Sequence, residues 1–258
     1  IVVAASAPTL YYYCSSHSGM GGAVNTNSTL GSSNFDGSKQ TVVKANATAG
    51  FSIISYTGDG SSGATTGHGL GVAPKIMIHK DRDSSNNWYT ITTAVDGSAD
   101  YLYLNLTNSK ADSGVTAPTS SLVSFTASSE SNHNGRDYIM YAFSEVSSYS
   151  KFGKYTGNGN ADGTFVFTGF RPAVIILKRT NSAASWVIHD DKRAGYNGDN
   201  DYLHPDLSQA ESDGSTGTLD ILSNGFKLRM TAGTHNGSGD TFIYLAFAES
   251  PFKYARAR

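Results

Sequence analysis

Cysteine occurs once in the 258 residues, at Cys14. A single thiol excludes an internal disulfide framework, so stability has to come from sheets or from oligomerisation. Charge is equally scarce: 19 Lys plus Arg stand against 21 Asp plus Glu. Nothing in that balance builds the basic field that attracts a phosphate backbone, and nucleic acid is not an expected partner. No stretch approaches the ~20 apolar residues that span a bilayer. Membrane insertion is therefore not expected, and the opening Ile1-Val-Val-Ala-Ala-Ser6 is too short for a complete signal peptide. The chain starts without Met inside that apolar run, which reads as an ordered piece of a longer protein. Long amphipathic helical patterns are missing. So are the Gly-x-Ser-x-Gly elbow, the His-Glu-x-x-His helix and paired Cys-x-x-Cys motifs, and no enzyme is expected.

What the chain does contain is 28 Gly, 15 Tyr and 12 Phe, with abundant Ser, Thr and Asn. That mixture describes short strands joined by polar turns. It also contains a repeat. Tyr56-Thr-Gly-Asp-Gly returns as Tyr155-Thr-Gly-Asn-Gly, Pro74-Lys-Ile-Met-Ile-His-Lys as Pro172-Ala-Val-Ile-Ile-Leu-Lys, and Trp88 as Trp186. Tyr101-Leu-Tyr-Leu-Asn-Leu answers Tyr202-Leu-His-Pro-Asp-Leu, and Ile139-Met-Tyr-Ala-Phe-Ser-Glu answers Ile243-Tyr-Leu-Ala-Phe-Ala-Glu. The offset grows from 98 at Pro74/Pro172 to 101 at Tyr101/Tyr202 and 104 at Ile139/Ile243, so insertions fall between matched blocks, where surface loops tolerate them.

Each block reads as a strand bounded by Gly, Asn, Asp or Ser. Val174-Ile-Ile-Leu is expected to be buried on both faces, whereas the alternation in Tyr138–Phe143 and Phe242–Phe247 suggests half-buried antiparallel strands. The expected fold is all-β: two tandem homologous antiparallel β-sandwich domains in series, after an N-terminal strand and an extended linker. The boundaries read as an N-terminal segment 1–23, a linker 24–49 rich in Asn, Ser, Thr and Gly, and repeats at 50–148 and 149–258, joined near Ser147 to Lys151.

From about Ala49 onward the chain resembles a repeat family of bacteriophage tail fibres, found in phages of marine bacteria and cyanobacteria. The residues that carry the resemblance include His68-Gly-Leu-Gly with Pro74, Lys80 to Trp88, Tyr149 to Gly159, Gly169-Phe-Arg-Pro, Ser223 to Arg229 and Ala246-Phe-Ala-Glu-Ser-Pro-Phe. The family's typical unit has an Asp and an Arg after the Trp, present here as Asp190 and Arg193 but absent near Thr92. The resemblance implies an extracellular virion location on a homotrimeric fibre, contact with other virion proteins, and noncatalytic recognition of a host-surface glycan or protein. Rival readings are a purely structural connector or decoration protein and, less favoured, a glycan depolymerase.

A second resemblance lies in Cys14-Ser-Ser-His17-Ser-Gly-Met20, which is similar to the ligand loop of a cupredoxin. Thiolate and imidazole would be strong copper ligands and the thioether a weak axial one. The set is incomplete without an upstream His, so copper is expected only if one completes it, and otherwise no cofactor. For host contact the best candidates are the loop residues Tyr196, Asn197, Asp199 and Asn200. The two Trp read as core anchors rather than sugar platforms, Lys178 with Asp190 and Arg193 as a salt-bridge network, and His68 as a turn residue. Glu145 and Glu249 end the last strand of each repeat and are not expected to meet as a glycosidase pair.

Overall fold

A computed structural model describes residues 10–13, 16, 21–24, 31–193, 197–198, 200–213 and 217–249. Among them there are only strands, turns and irregular segments, and no helix is long and apolar enough to cross a membrane. The strands are β1 (Leu10–Tyr13), β2 (Gly21–Val24), β3 (Ser32–Asn34), β4 (Thr41–Asn46), β5 (Phe51–Thr57), β6 (Thr65–Gly67), β7 (Ile76–Asp81), β8 (Tyr89–Thr92), β9 (Asp100–Tyr103), β10 (Ala111–Asp112), β11 (Leu122–Ser124) and β12 (Asp137–Phe143). They continue as β13 (Ser150–Thr156), β14 (Phe165–Phe167), β15 (Pro172–Arg179), β16 (Val187–Asp190), β17 (Leu219–Leu222), β18 (Gly225–Leu228) and β19 (Thr241–Ala248).

The first half forms an eight-stranded sheet ordered β10-β9-β8-β7-β12-β5-β4-β3, faced by the pair β11-β6. In the second half the larger sheet is β16-β15-β19-β13, faced by β14-β18-β17. Matched strands take matched places: β8, β7, β12 and β5 correspond in order to β16, β15, β19 and β13. Where β9 and β10 would recur, the described residues of the second half keep the single bridges Ile188↔Leu203 and Tyr202↔Ser212. His204-Pro205 stands where the strand would continue, and proline offers no N–H to the ladder.

Period-2 alternation divides each large sheet between two cores. Ile54, Tyr56, Met77, Tyr89, Ile91, Tyr138, Met140 and Ala142 point inward against Val123 and Phe125. In the second half Tyr155, Ile175, Leu177, Phe242, Tyr244 and Ala246 pack against Val166, Leu219, Ile221, Phe226 and Leu228. The opposite faces meet each other: Ile76 and Leu102 from the first half form one buried cluster with Phe152, Trp186, Ile243 and Leu245 from the second. The two sandwiches are thus stacked sheet against sheet rather than strung in series. Strand β19 is accordingly buried on both faces, unlike the half-buried strand its alternation suggested, because Phe242, Tyr244 and Ala246 serve one core while Ile243 and Leu245 serve the other.

Two further features differ from the sequence reading or sharpen it. Residues 31–46 are not a tether: β4 pairs with β5 from Val42↔Ser55 to Asn46↔Phe51, and β3 pairs with β4, extending the first sheet. Thr41 and Val43 point inward while Val42 and Lys44 face solvent, so only a short inward stripe marks the segment. Between the halves the chain reverses in a turn over Val146–Ser150, with the Ser148 backbone at φ 63° and Ser150 N donating to Val146 O at 2.9 Å.

Candidate functional site

Both halves build the same corner. Tyr56 donates its hydroxyl proton to Ser131 O at 2.7 Å, and Tyr155 donates to His235 O at 2.6 Å. The glycine two residues later approaches the same returning segment: a Cβ on Gly58 would lie 2.2 Å from His133 O, and one on Gly157 2.2 Å from Gly237 O, so only glycine fits. A wholly buried asparagine then clamps each turn. Asn132 Nδ2 donates to Asp59 Oδ1 and Ser61 O, both at 2.9 Å, and its Oδ1 accepts from Asp59 N at 3.1 Å. Asn236 Nδ2 donates to Asn158 Oδ1 and Asn160 O at 2.8 Å and to Met230 O at 2.9 Å, while its Oδ1 accepts from Asn158 N at 3.0 Å.

The first corner carries an addition. Lys39, buried, donates from Nζ to Asn132 Oδ1 at 2.6 Å, with Nζ 3.9 Å from the Phe125 ring centre and 4.7 Å from that of Tyr56. Burial draws its pKa down to about 8, against the opposing pull of the Asp59 charge. At Asp59 burial acts to raise the pKa, but hydrogen bonds from Ser61 N and Asn132 with the Lys39 charge outweigh it and hold the carboxyl below its usual range. Nearby, the single hydroxyl proton of Tyr56 is spent on Ser131 O, so His79 Nδ1 donates to the phenol at 3.1 Å. The second ring nitrogen, Nε2, is buried with no hydrogen-bond partner among the described residues, and burial, with Lys39 behind it, lowers the imidazole pKa to about 3.

Beyond Phe125 the two halves diverge. In the second, Leu219 and Ile221 of β17 complete a three-stranded sheet and fill the core. At the same point of the first half the chain runs Ser113-Gly-Val-Thr-Ala-Pro118 and makes no strand. Pro118 and Gly114, at φ 68°, both oppose one. A cavity of about 350 Å³ results, lined by Ser62, Thr65, Thr116, Thr119, Ser124 and Phe125 among others. A smaller recess shares Val115, Thr116 and Ser124 with it and reaches His79. Hydroxyls beside an aromatic ring suit a small uncharged polyhydroxylated ligand, while His79 lies behind a recess too narrow for water and stays out of reach.

The residues singled out from sequence fall elsewhere. Asn197 adopts φ 52° and ties its amide to Ile221, donating from Nδ2 to the carbonyl at 2.9 Å and accepting from the N–H at 2.7 Å. Asn200 is buried and donates from Nδ2 to Leu219 O. Both amides are engaged by β17, which makes them anchors of their loop. Tyr196 and Asp199 lie outside the described residues, as do Cys14, His17 and Met20.

Trp186 is buried between the halves and donates from Nε1 to Tyr103 O at 2.8 Å, whereas Trp88 is half-buried. Lys178 does not join Asp190 and Arg193: it is buried beneath the interface, donating to Thr107 O at 2.9 Å and Ala184 O at 2.5 Å. Arg193 Nε pairs with Asp190 at 2.7 Å and its Nη1 with Glu211. His68 is a buried turn residue, accepting from Leu70 N at 3.2 Å. Glu145 and Glu249 are held apart on different lysines, Lys75 and Lys192, each at 3.1 Å. The sequence pattern does not single out Lys39 or Asp59. Asn132 and Asn236 share the offset of 104 seen at Ile139/Ile243, a signal that would have paired them.

The chain belongs to the family described as Domain of unknown function (DUF7483), whose model matches residues 24–251. That single match takes in both halves and the β3–β4 segment. No curated protein and no solved structure matches the chain.

Proposed function

We propose that this chain is a noncatalytic receptor-binding module of a bacteriophage tail fibre, and that it recognises a host-surface glycan through the cavity of its first half. The observation that carries the binding reading is the cavity of about 350 Å³ left where β17 has no counterpart, with Ser62, Thr65, Thr116 and Ser124 around Phe125. Its size and hydroxyl lining suit one or two sugar rings held by hydrogen bonds and one apolar face. The virion assignment rests on the resemblance of the repeat blocks to tail-fibre repeats. Thr116→Trp places a large ring in the cavity from an exposed position. On a glycan array and on host cells, the unaltered chain is expected to bind and Thr116→Trp to lose binding at unchanged stability. Equal binding by both would remove the cavity from the reading, and absence of the chain from purified tails would remove the fibre.

A second reading, a structural virion component, is favoured by the edge strand β14. Phe165 and Phe167 there are 45% and 56% exposed. The matching edge strand β6 is instead covered by residues 36–39, with Ser38 N and Lys39 N both donating to Thr65 O at 3.0 Å. A second copy or a neighbouring virion protein against β14 would bury the pair, as in the expected homotrimer.

A further inference from the structure

We propose that Lys39 and Asn132 join covalently, in a self-catalysed intramolecular isopeptide bond that staples the N-terminal segment to the turn before β12. The reactants are already aligned. Lys39 Nζ lies 2.6 Å from Asn132 Oδ1, beside the carboxamide carbon, across 93 residues of chain. That hydrogen bond holds the amine against the carboxamide, one bond away from the carbon it attacks, so the two groups meet without a diffusional search. Phe125 and Tyr56 wall the amine off from water, so the product amide is shielded from hydrolysis. The direction of the Asn132 amide is set by its partners: Oδ1 takes the two donors, Lys39 Nζ and Asp59 N, while Nδ2 donates to Asp59 Oδ1 and Ser61 O.

The chemistry needs no co-reactant. Lys39 sheds its ammonium proton to solvent, and with burial bringing its pKa to about 8 roughly one amine in ten is free at pH 7. The amine lone pair attacks Asn132 Cγ, a C–N bond forms, and the carbonyl electron pair moves onto Oδ1. There the Asp59 N–H, 3.1 Å away, stabilises the developing charge. The attacking nitrogen gives up a proton and the original amide nitrogen takes one. Asp59 Oδ1, 2.9 Å from that nitrogen, is placed to carry the proton between them and ends unchanged. The C=O re-forms, the old C–N bond breaks, and ammonia leaves. Nothing is oxidised or reduced.

The rest of the molecule supplies controls. Asn236 occupies the equivalent corner, but its partner is the neutral Asn158 and the side chain there meets only Asn158 and backbone groups. The matched lysines Lys80 and Lys178 donate to backbone carbonyls alone. Among the described residues of the two corners, the first alone has a lysine amine hydrogen-bonded to the clamping asparagine's carboxamide, with a carboxylate on the same amide.

Intact mass spectrometry on the purified full chain under denaturing conditions, followed by peptide sequencing, tests the proposal. The expected result is a mass lower than the sequence by one ammonia, with a branched peptide joining Lys39 to Asn132. Lys39→Arg, which keeps the charge over the rings but lacks a free amine, is expected to show no loss, and Asp59→Asn a loss that accumulates at least tenfold more slowly. A full-length mass in the unaltered chain overturns the proposal. So does an ammonia loss that persists in Lys39→Arg, since an Asn followed by Gly, as at Asn134 or Asn236, loses ammonia by closing a succinimide.

Discussion

The two halves share a plan and differ in what was added to it. Both have the Tyr corner, the close-approach glycine, the clamping asparagine and the same order of four central strands. The second half fills its core with Leu177, Leu219 and Ile221 and is closed. In the first, the equivalent of Leu177 is His79, the place of β17 is an irregular loop, and Lys39 enters from the segment ahead of β4. A core closed by a third facing strand thus stands beside one that keeps a cavity, and each half buries its own polar groups: Lys39 and His79 in the first, His189 and His235 in the second. What the two copies share shows what the fold requires, and where they differ, at His79 against Leu177 as at Ile91 against His189, each has added its own polar group.

The largest break in the comparison is expected at the twin asparagines. Asn236→Ala strips partners from Asn158 N and the carbonyls of Asn160 and Met230, which costs about 2–3 kcal/mol. Asn132→Ala loses the same clamp together with the Lys39 bond. Closing a loop of that length is worth about 4.5 kcal/mol by the chain-entropy relation, so denaturant midpoints should separate the two variants widely. Near-equal midpoints would return Lys39 to a hydrogen-bonding role.

The two tryptophans come next. Trp186→Ala empties the interface and frees Tyr103 O, an expected loss of about 3–5 kcal/mol, while Trp88→Ala, at a half-buried site, should cost about 1–2 kcal/mol. Guanidinium unfolding of both variants measures the gap.

Acid sharpens the contrast further. His79 in the first half and His235 in the second are buried and neutral, with pKa values lowered to about 3 from 6.5, and His189, whose Nε2 lies 3.0 Å from that of His235, is also held well below its ordinary value by burial and then by its neighbour. Because the folded values are depressed, stability is whole above pH 6.5. Below it the unfolded chain takes up protons that the folded chain refuses until about pH 3, so stability falls through that window. With two such imidazoles in contact, the second half should loosen first. Hydrogen exchange at pH 5 against pH 7.5, corrected for intrinsic rates, should rise more in β16 than in β7.

The smallest effect is expected at β14. Phe165→Ser with Phe167→Ser should leave monomer stability within about 0.5 kcal/mol, because both rings are already exposed. Sedimentation of the double variant against the parent then reads whether those rings hold a second copy.

Much of the architecture was legible beforehand. Matched apolar blocks located β5, β7, β12, β13, β15 and β19, and the all-β class followed from composition. What escaped was anything set by pairing across long separations. Residues 41–46 offer only Thr41 and Val43 to the core, too short a stripe to announce a strand. The stacking of the halves depends on the second faces of strands whose alternation marks only one. Lys39 has no repeat partner and lies among Ser, Gly and Gln, so nothing local announces that it reaches Asn132. Asp59 against Asn158, inside an otherwise matched block, was the one visible hint that the corners differ in chemistry. The loop chosen for contact, Asn197 and Asn200, is polar because β17 needs partners for its end, which composition cannot distinguish from a surface made for a ligand.

The buried seam around Trp186 also governs how the molecule bears load. Two sandwiches on a string would extend one after the other when the ends are drawn apart, each yielding at its own force. Here Phe152, Ile243 and Leu245 are clasped against Ile76 and Leu102, and the link between the halves is a tight turn with no slack to give. Pulling the halves apart has to expose that seam first, so its rupture is the expected first mechanical event.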